Sequence, residues 1–129
     1  MNKTVIQNMI EGSFAGTIVF PEVVASLLKE GIESYHVDYI RNENTYYHTN
    51  GDSIVIDVKH QESKVADQFS IDGIRSIIKK VQTGEVDYNE FCIGAKAAGC
   101  AYYIAFLKGK RVLYLGKEGD QHVEYFPRK

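Results

Sequence analysis

The chain has no tryptophan, two prolines and two cysteines in 129 residues. Two cysteines are too few for the disulfide framework of a small secreted scaffold. If the helix that precedes Cys100 runs nearly to it, the helical rise puts Cys92 and Cys100 about 12 Å apart. An unstrained bridge needs Cα atoms within about 7 Å. Both therefore read as thiols in a reducing cytoplasm. Charge of one sign is also missing: 15 Lys and Arg stand against 17 Asp and Glu, for a net charge of −2. Nucleic-acid surfaces usually show a basic patch or stripe. The short clusters Lys79-Lys80 and Lys108, Lys110, Arg111 read instead as solvated faces. No stretch has the length and apolarity to span a bilayer. Met1–Phe20 carries Glu11 and lacks the apolar run of a signal peptide. The expectation is a cytoplasmic protein with neither nucleic acid nor membrane as partner. Catalytic signatures are missing as well. There is no Cys-x-x-Cys, no Gly-x-Ser-x-Gly and no Ser-His-Asp order. Gly84–Phe91 looks like the exit half of a calcium loop, but Lys79–Thr83 supplies none of the acidic ligands of an entering half. No cofactor is expected, and calcium is not expected at this loop.

What the chain does contain is itself, twice. Shifted by 68 positions, its second half falls on its first without a gap, and 10 of the 54 pairs from Thr4/Asp72 to Asp57/Tyr125 are identical. Average composition would give roughly three or four. The matches include Ile6/Ile74, Gly31/Gly99, Tyr35/Tyr103, Tyr46/Tyr114 and Asp52/Asp120. At this length, with 44% hydrophobic residues, the chain can build one core. We expect a single domain, 1–129, made of copy one (4–57), a linker (58–71) and copy two (72–125).

Each copy reads as two helices followed by three strands. Thr4-Val5-Ile6-Gln7 has the form of a capping box, and Ser70 that of an N-cap. A shared phrase, Gly16…Phe20-Pro21-Glu22 and Gly84…Tyr88-Asn89-Glu90, opens the second helix, with Pro21 at its first position and Asp87 and Glu90 as a cap. Gly31 and Gly99 fit left-handed helix ends. Alternating strands follow, with Lys108-Gly109 as a two-residue hairpin. Turns at Asn50-Gly51-Asp52 and Glu118-Gly119-Asp120 come next. His60–Phe69 reads as a polar linker with one helical turn at Lys64–Phe69. Short loops imply antiparallel pairing. The fold class is α+β: a tandem helix-helix-three-strand unit, mostly antiparallel sheet with helices on one side, and an internal pseudo-two-fold.

The phrases Phe20-Pro21-Glu22-Val23-Val24, Gly31…Tyr35-His36-Val37-Asp38, Gly84…Tyr88-Asn89-Glu90-Phe91-Cys92, Ala98-Gly99-Cys100 and His122-Val123-Glu124-Tyr125-Phe126-Pro127 carry a resemblance. Together they are similar to a bacterial family of small proteins of unknown function, some of whose members are labelled "phage envelope protein". The resemblance covers nearly the whole chain. It implies a small soluble bacterial protein and no catalytic residues to carry over.

Candidate site residues come from places where the copies disagree. Asp120, His122 and Glu124 alternate along one strand face, where copy one has Asp52, Ile54 and Ile56. Conversely, His36 and Asp38 stand where copy two has Ile104 and Phe106. If the pseudo-two-fold brings these strands together, His36, Asp38, His122 and Glu124 could line one pocket suited to acid–base work or a divalent metal. The plainer reading is the wet face of a half-exposed sheet. Cys92 and Cys100 read as buried apolar thiols rather than nucleophiles. Tyrosine is abundant, with nine residues. Tyr35, Tyr39, Tyr47, Tyr102 and Tyr103 are candidate ligand-binding residues, since each offers an apolar body and a polar tip.

These features support three readings. The first is a module that binds a small ligand or a protein in a tyrosine-lined cleft. The second is a small enzyme or metal-binding protein using the His/Asp/Glu group. The third is a structural homo-oligomer, such as a homodimer, that associates through an exposed sheet edge.

Overall fold

The computed structural model describes residues 1–59 and 63–127. Its elements run α1 (Lys3–Ala15), α2 (Phe20–Lys29), β1 (Ile32–Asp38), β2 (Glu43–His48), β3 (Ser53–Asp57), α3 (Ile71–Gln82), α4 (Tyr88–Ala97), β4 (Cys100–Phe106), β5 (Arg111–Gly116) and β6 (Gln121–Tyr125). The helix-helix-three-strand pattern occurs twice, in order, and the fold is α+β.

Local chemistry explains the helix starts. The Asn2 side chain accepts a hydrogen bond from the Val5 N–H at 3.3 Å, so the first cap lies two residues before the Thr4 expected for it. Ser70 Oγ accepts from Gly73 N–H at 3.0 Å. Asp87 and Glu90 form the reciprocal pair: Glu90 N–H donates to Asp87 at 2.8 Å, and Asp87 N–H to Glu90 at 3.1 Å. In α2 Val19 takes the cap position with no oxygen to offer, and Glu22 reaches back to its N–H. Pro21 is the second helical residue, not the first. The segment 63–70 is not helical. It runs along the end of α4, with Ala66 N–H donating to Lys96 O and Ser70 N–H to Ala98 O. The first part of the expected linker, 60–62, lies outside the described residues.

The six strands form one antiparallel sheet in the order β3-β2-β1-β4-β5-β6. Its register repeats the sequence duplication. Ser34 pairs with Tyr47 as Tyr102 pairs with Leu115, and Asn44 with Ile56 as Val112 with Glu124. Both copies shift register at the same place, Ile32/Ser34 and Cys100/Tyr102. At the β1–β4 seam His36 lies opposite Ile104, its own equivalent, so the pseudo-two-fold passes through that pair. Left-handed backbone recurs in matched pairs, among them Gly31 (φ 81°) with Gly99 (φ 88°), and Asn42 (φ 56°) with Lys110 (φ 55°). The last pair corrects the hairpin reading. The β4–β5 loop spans 107–110, and its left-handed residue is Lys110 rather than the adjacent glycine.

All four helices pack on one face of the sheet. Tyr35, Val37, Tyr46, Ile56, Tyr103, Ala105, Val112 and Tyr114 point to that side and are buried with Ile6, Leu27, Ile74 and Phe91 in one core cluster. Among the described residues no helix is long and apolar enough to cross a membrane.

Candidate functional site

On the helix side the tyrosines form a continuous aromatic interior. The Tyr35 and Tyr46 rings stack at 5.1 Å, Tyr103 meets Tyr35 edge-on at 6.2 Å, and Phe91 touches both Tyr103 and Tyr114. The Tyr88 and Tyr103 hydroxyls share a hydrogen bond of 2.7 Å. Tyr35, Tyr39 and Tyr103, three of the five candidate tyrosines, are buried here. Burial raises the Tyr46 hydroxyl to about 12, although the Asn44 amide that donates to it works the other way. Burial likewise pushes the Cys92 thiol up to about 11 and Cys100 to about 12. Both are protonated at neutral pH and are poor nucleophiles.

Lys96 also lies in this interior, 2% exposed, with its ammonium 5.5 Å from the centroid of the Tyr39 ring. Burial lowers its pKa, an effect opposed by Cys92 one helical turn away. The sequence reading missed Lys96. The available signal was a lysine inside the apolar stripe Phe91, Cys92, Ala95 of α4, at helical spacing.

His122 and Glu124 stand on the helix-facing side of edge strand β6. His122 Nε2 lies 3.0 Å from Glu124 Oε1, and the imidazole stacks on Tyr114. The pair can hold and pass a proton. His36 and Asp38 do not join it. They point to the opposite face of the sheet, and β4 and β5 separate β1 from β6. Strand alternation gives the reason. His36 and Asp38 alternate with the buried Tyr35 and Val37, whereas His122 lies opposite the buried Tyr114, so the two polar pairs stand on opposite faces, and a two-fold normal to the sheet cannot bring them together. The Asp38 carboxylate accepts the Ile40 and Arg41 N–H groups at 2.9 Å each and so closes the β1–β2 turn. Burial lowers the pKa of His36, whose ring lies 4.9 Å from that of Tyr47. Among the described residues no group of three or more His, Cys, Asp or Glu side chains could hold a metal.

The face away from the helices is open. No side chain pointing to it is fully buried. Three rows cross the six strands: Ser53-Tyr47-Ser34-Phe106-Arg111-Tyr125, then Val55-Thr45-His36-Ile104-Leu113-Val123, then Asp57-Glu43-Asp38-Tyr102-Leu115-Gln121. The two halves of this face differ. The copy-one half is polar and acidic, with Glu43 held by Arg41 at 2.9 Å. The copy-two half is apolar at seven of its nine positions: Tyr102, Ile104, Phe106, Leu113, Leu115, Val123 and Tyr125. Arg111 is the one charge there, stacked 4.8 Å over the Tyr125 ring. Tyr102, Val123 and Tyr125 are 38%, 39% and 60% exposed. Tyr47 and Tyr102, the remaining candidate tyrosines, belong to this surface. Among the described residues no layer covers this patch, and it is the largest run of apolar side chains on the open face. The signal was in the sequence, because Cys100–Leu107 is an unbroken apolar run, the pattern of a strand covered on both faces.

The architecture thus defines a duplicated α+β protein with one covered and one open sheet face. Residues 10–124 match the family described as "Protein of unknown function (DUF1398)", and the chain belongs to that family. The match names no activity. No curated protein matches the chain.

Proposed function

We propose that the protein is a protein-binding module that docks its partner on the open face of the sheet. One observation carries this reading: seven apolar side chains gathered on an uncovered face, all from copy two, where copy one has polar equivalents at most positions. Tyr47 and Tyr102 contribute to this surface, so the tyrosine-lined binding region is a flat face rather than a cleft. The buried tyrosines serve the core. Interface centres favour aromatic anchors with few charges, and the copy-two half has that composition. A second reading, acid–base chemistry at His122 and Glu124, is favoured by their 3.0 Å contact alone.

The test is a photo-crosslinking residue at position 113 in living cells, with position 118 on the β5–β6 turn as control. Docking at the open face gives an adduct of discrete mass from 113 and none from 118. No adduct from 113, or the same smear from both positions, would sink the reading.

A further inference from the structure

We propose that the occupant of the open face is a second copy of this chain, packed face to face as a two-fold dimer. The inference rests on the docking reading above and names its partner. Size is the first argument. Six strands about 4.8 Å apart and five residues of about 3.4 Å each give a footprint of roughly 490 Å². The copy-two half offers about half of that. A stable interface takes about 800 Å² of accessible surface per partner. Accessible area over protruding side chains exceeds a flat footprint, so the whole face approaches the requirement and the apolar half alone falls far short. A partner must therefore suit both the apolar half and the acidic half.

Charge is the second argument, and it selects the symmetry axis. An axis parallel to the strands through β5 would lay Arg111 on its own symmetry mate, cover only the apolar half and leave the acidic half uncovered. An axis parallel to the strands at the β1–β4 seam would lay Tyr102 on the second copy's Asp38 and Leu115 on its Glu43. An axis across the strands, along the row that contains His36 and Ile104, separates Arg111 from its mate and keeps the carboxylates off the apolar half, while it sets Arg111 over the second copy's Leu115 and His36 over its own mate. It stacks β4 on β4 and β5 on β5, so Phe106 meets the second copy's Tyr102 and Leu113 meets itself. In the acidic half it sets each carboxylate over a hydroxyl: Asp38 over Ser34, Glu43 over Tyr47, Asp57 over Ser53. These follow from the register, since the first and third rows exchange under this rotation. Sheets packed this way sit about 10 Å apart with strands nearly aligned, the geometry of a sandwich. An isologous contact of this kind closes on itself and does not propagate.

The edge-to-edge association raised by the sequence is the poorer route. Outer strands β3 and β6 are five residues each, and β6 turns His122 and Glu124 inward, a device that discourages strand addition.

The experiment measures the mass of the purified full chain by light scattering during size exclusion, together with crosslinking at position 113. The dimer gives twice the chain mass of 14.6 kDa and a crosslinked product of the same doubled mass. Leu113→Arg, which places a charge on its own mate at the axis, gives a monomer with unchanged circular dichroism. Glu43→Gln retains the dimer, because an amide still bonds to a hydroxyl. A wild-type monomer at high micromolar concentration overturns the dimer. If that monomer still gives a discrete adduct of another mass from position 113, the docking surface stands with a different partner. If position 113 gives no adduct either, both readings fall. A dimer that Leu113→Arg leaves intact also overturns the proposal, because it would use another face.

Discussion

Gly31 and Gly99 occupy equivalent positions after α2 and α4, with φ near 81° and 88°, yet their surroundings differ. A Cβ on Gly31 would run into the His48 ring, which can swing away. A Cβ on Gly99 would run into the backbone carbonyl of Gln68, which cannot move without displacing the segment beside α4. Both substitutions carry the left-handed penalty of about 1 kcal/mol. Gly99→Ala is expected to lose more stability than Gly31→Ala, by at least about a further 1 kcal/mol, in urea denaturation of each variant. Equal losses would mean that the Gln68 segment yields as easily as a side chain. His36 offers a pH test. Its neutral form is favoured in the fold by partial burial. As pH falls below about 6.5 the unfolded chain takes up the proton first. The stability tied to His36 is therefore complete above that pH and declines below it. His36→Gln is expected to flatten part of the fall in thermal midpoint between pH 7.5 and 5.5. Parallel curves for the two proteins would remove His36 from the account.

The elements were legible wherever their cause is local. Ser70, Asp87 and Glu90 cap helices because their own side chains reach the first N–H groups, and Gly31 and Gly99 follow helix ends in the left-handed conformation that glycine adopts most readily. Asn2 outcompeted Thr4 for the first cap, a choice between two competent neighbours that sequence cannot rank. The lysine in the apolar stripe of α4 and the apolar run of β4 were visible in the sequence, but which sheet face would stay uncovered was not legible. Alternation shows that a strand has two faces but not which of them the helices cover. Strand β6 sharpens the point. Its helix-facing positions hold His122 and Glu124 where β3 holds Ile54 and Ile56. If the pair only fills space, making β6 resemble β3 by His122→Ile with Glu124→Ile should be neutral or stabilising. Replacing a partly buried polar pair by well-packed apolar groups of similar size is often neutral or stabilising. Chemical denaturation of the double variant measures this. A marked gain would also fit a functional pair retained at a cost in stability, and a loss above about 1 kcal/mol would assign it a structural role.

The gapless shift of 68 residues defines the relation between the copies, because one register repeated without insertion permits one topology repeated without rearrangement. It could not say how the copies join. The join is the antiparallel seam of β1 and β4, with Val37 opposite Tyr103 and Tyr35 opposite Ala105. It extends a three-stranded meander into a six-stranded sheet and lets both copies share a core. Ile6, Leu27 and Tyr35 of copy one lie in the same buried cluster as Ile74, Phe91 and Tyr103 of copy two. Helix α1 also reaches across the seam, where the Phe14 ring meets Tyr88 edge-on at 4.9 Å. Three strands and two helices that share their buried surface with the other copy leave neither half with a core of its own. The chain is therefore expected to unfold in one step. The measurement is best made on Leu113→Arg, so that subunit dissociation does not broaden the curve. Tyrosine fluorescence and far-ultraviolet circular dichroism should give one coincident transition, and the calorimetric enthalpy should equal the van't Hoff value. Ile74→Ala, which empties a fully buried site of copy two, should lower that single midpoint by about 2–5 kcal/mol of stability without splitting it. Two resolved transitions, with only one of them shifted by Ile74→Ala, would show two halves that fold independently and touch at the seam. The register symmetry would then describe a pair of domains rather than one.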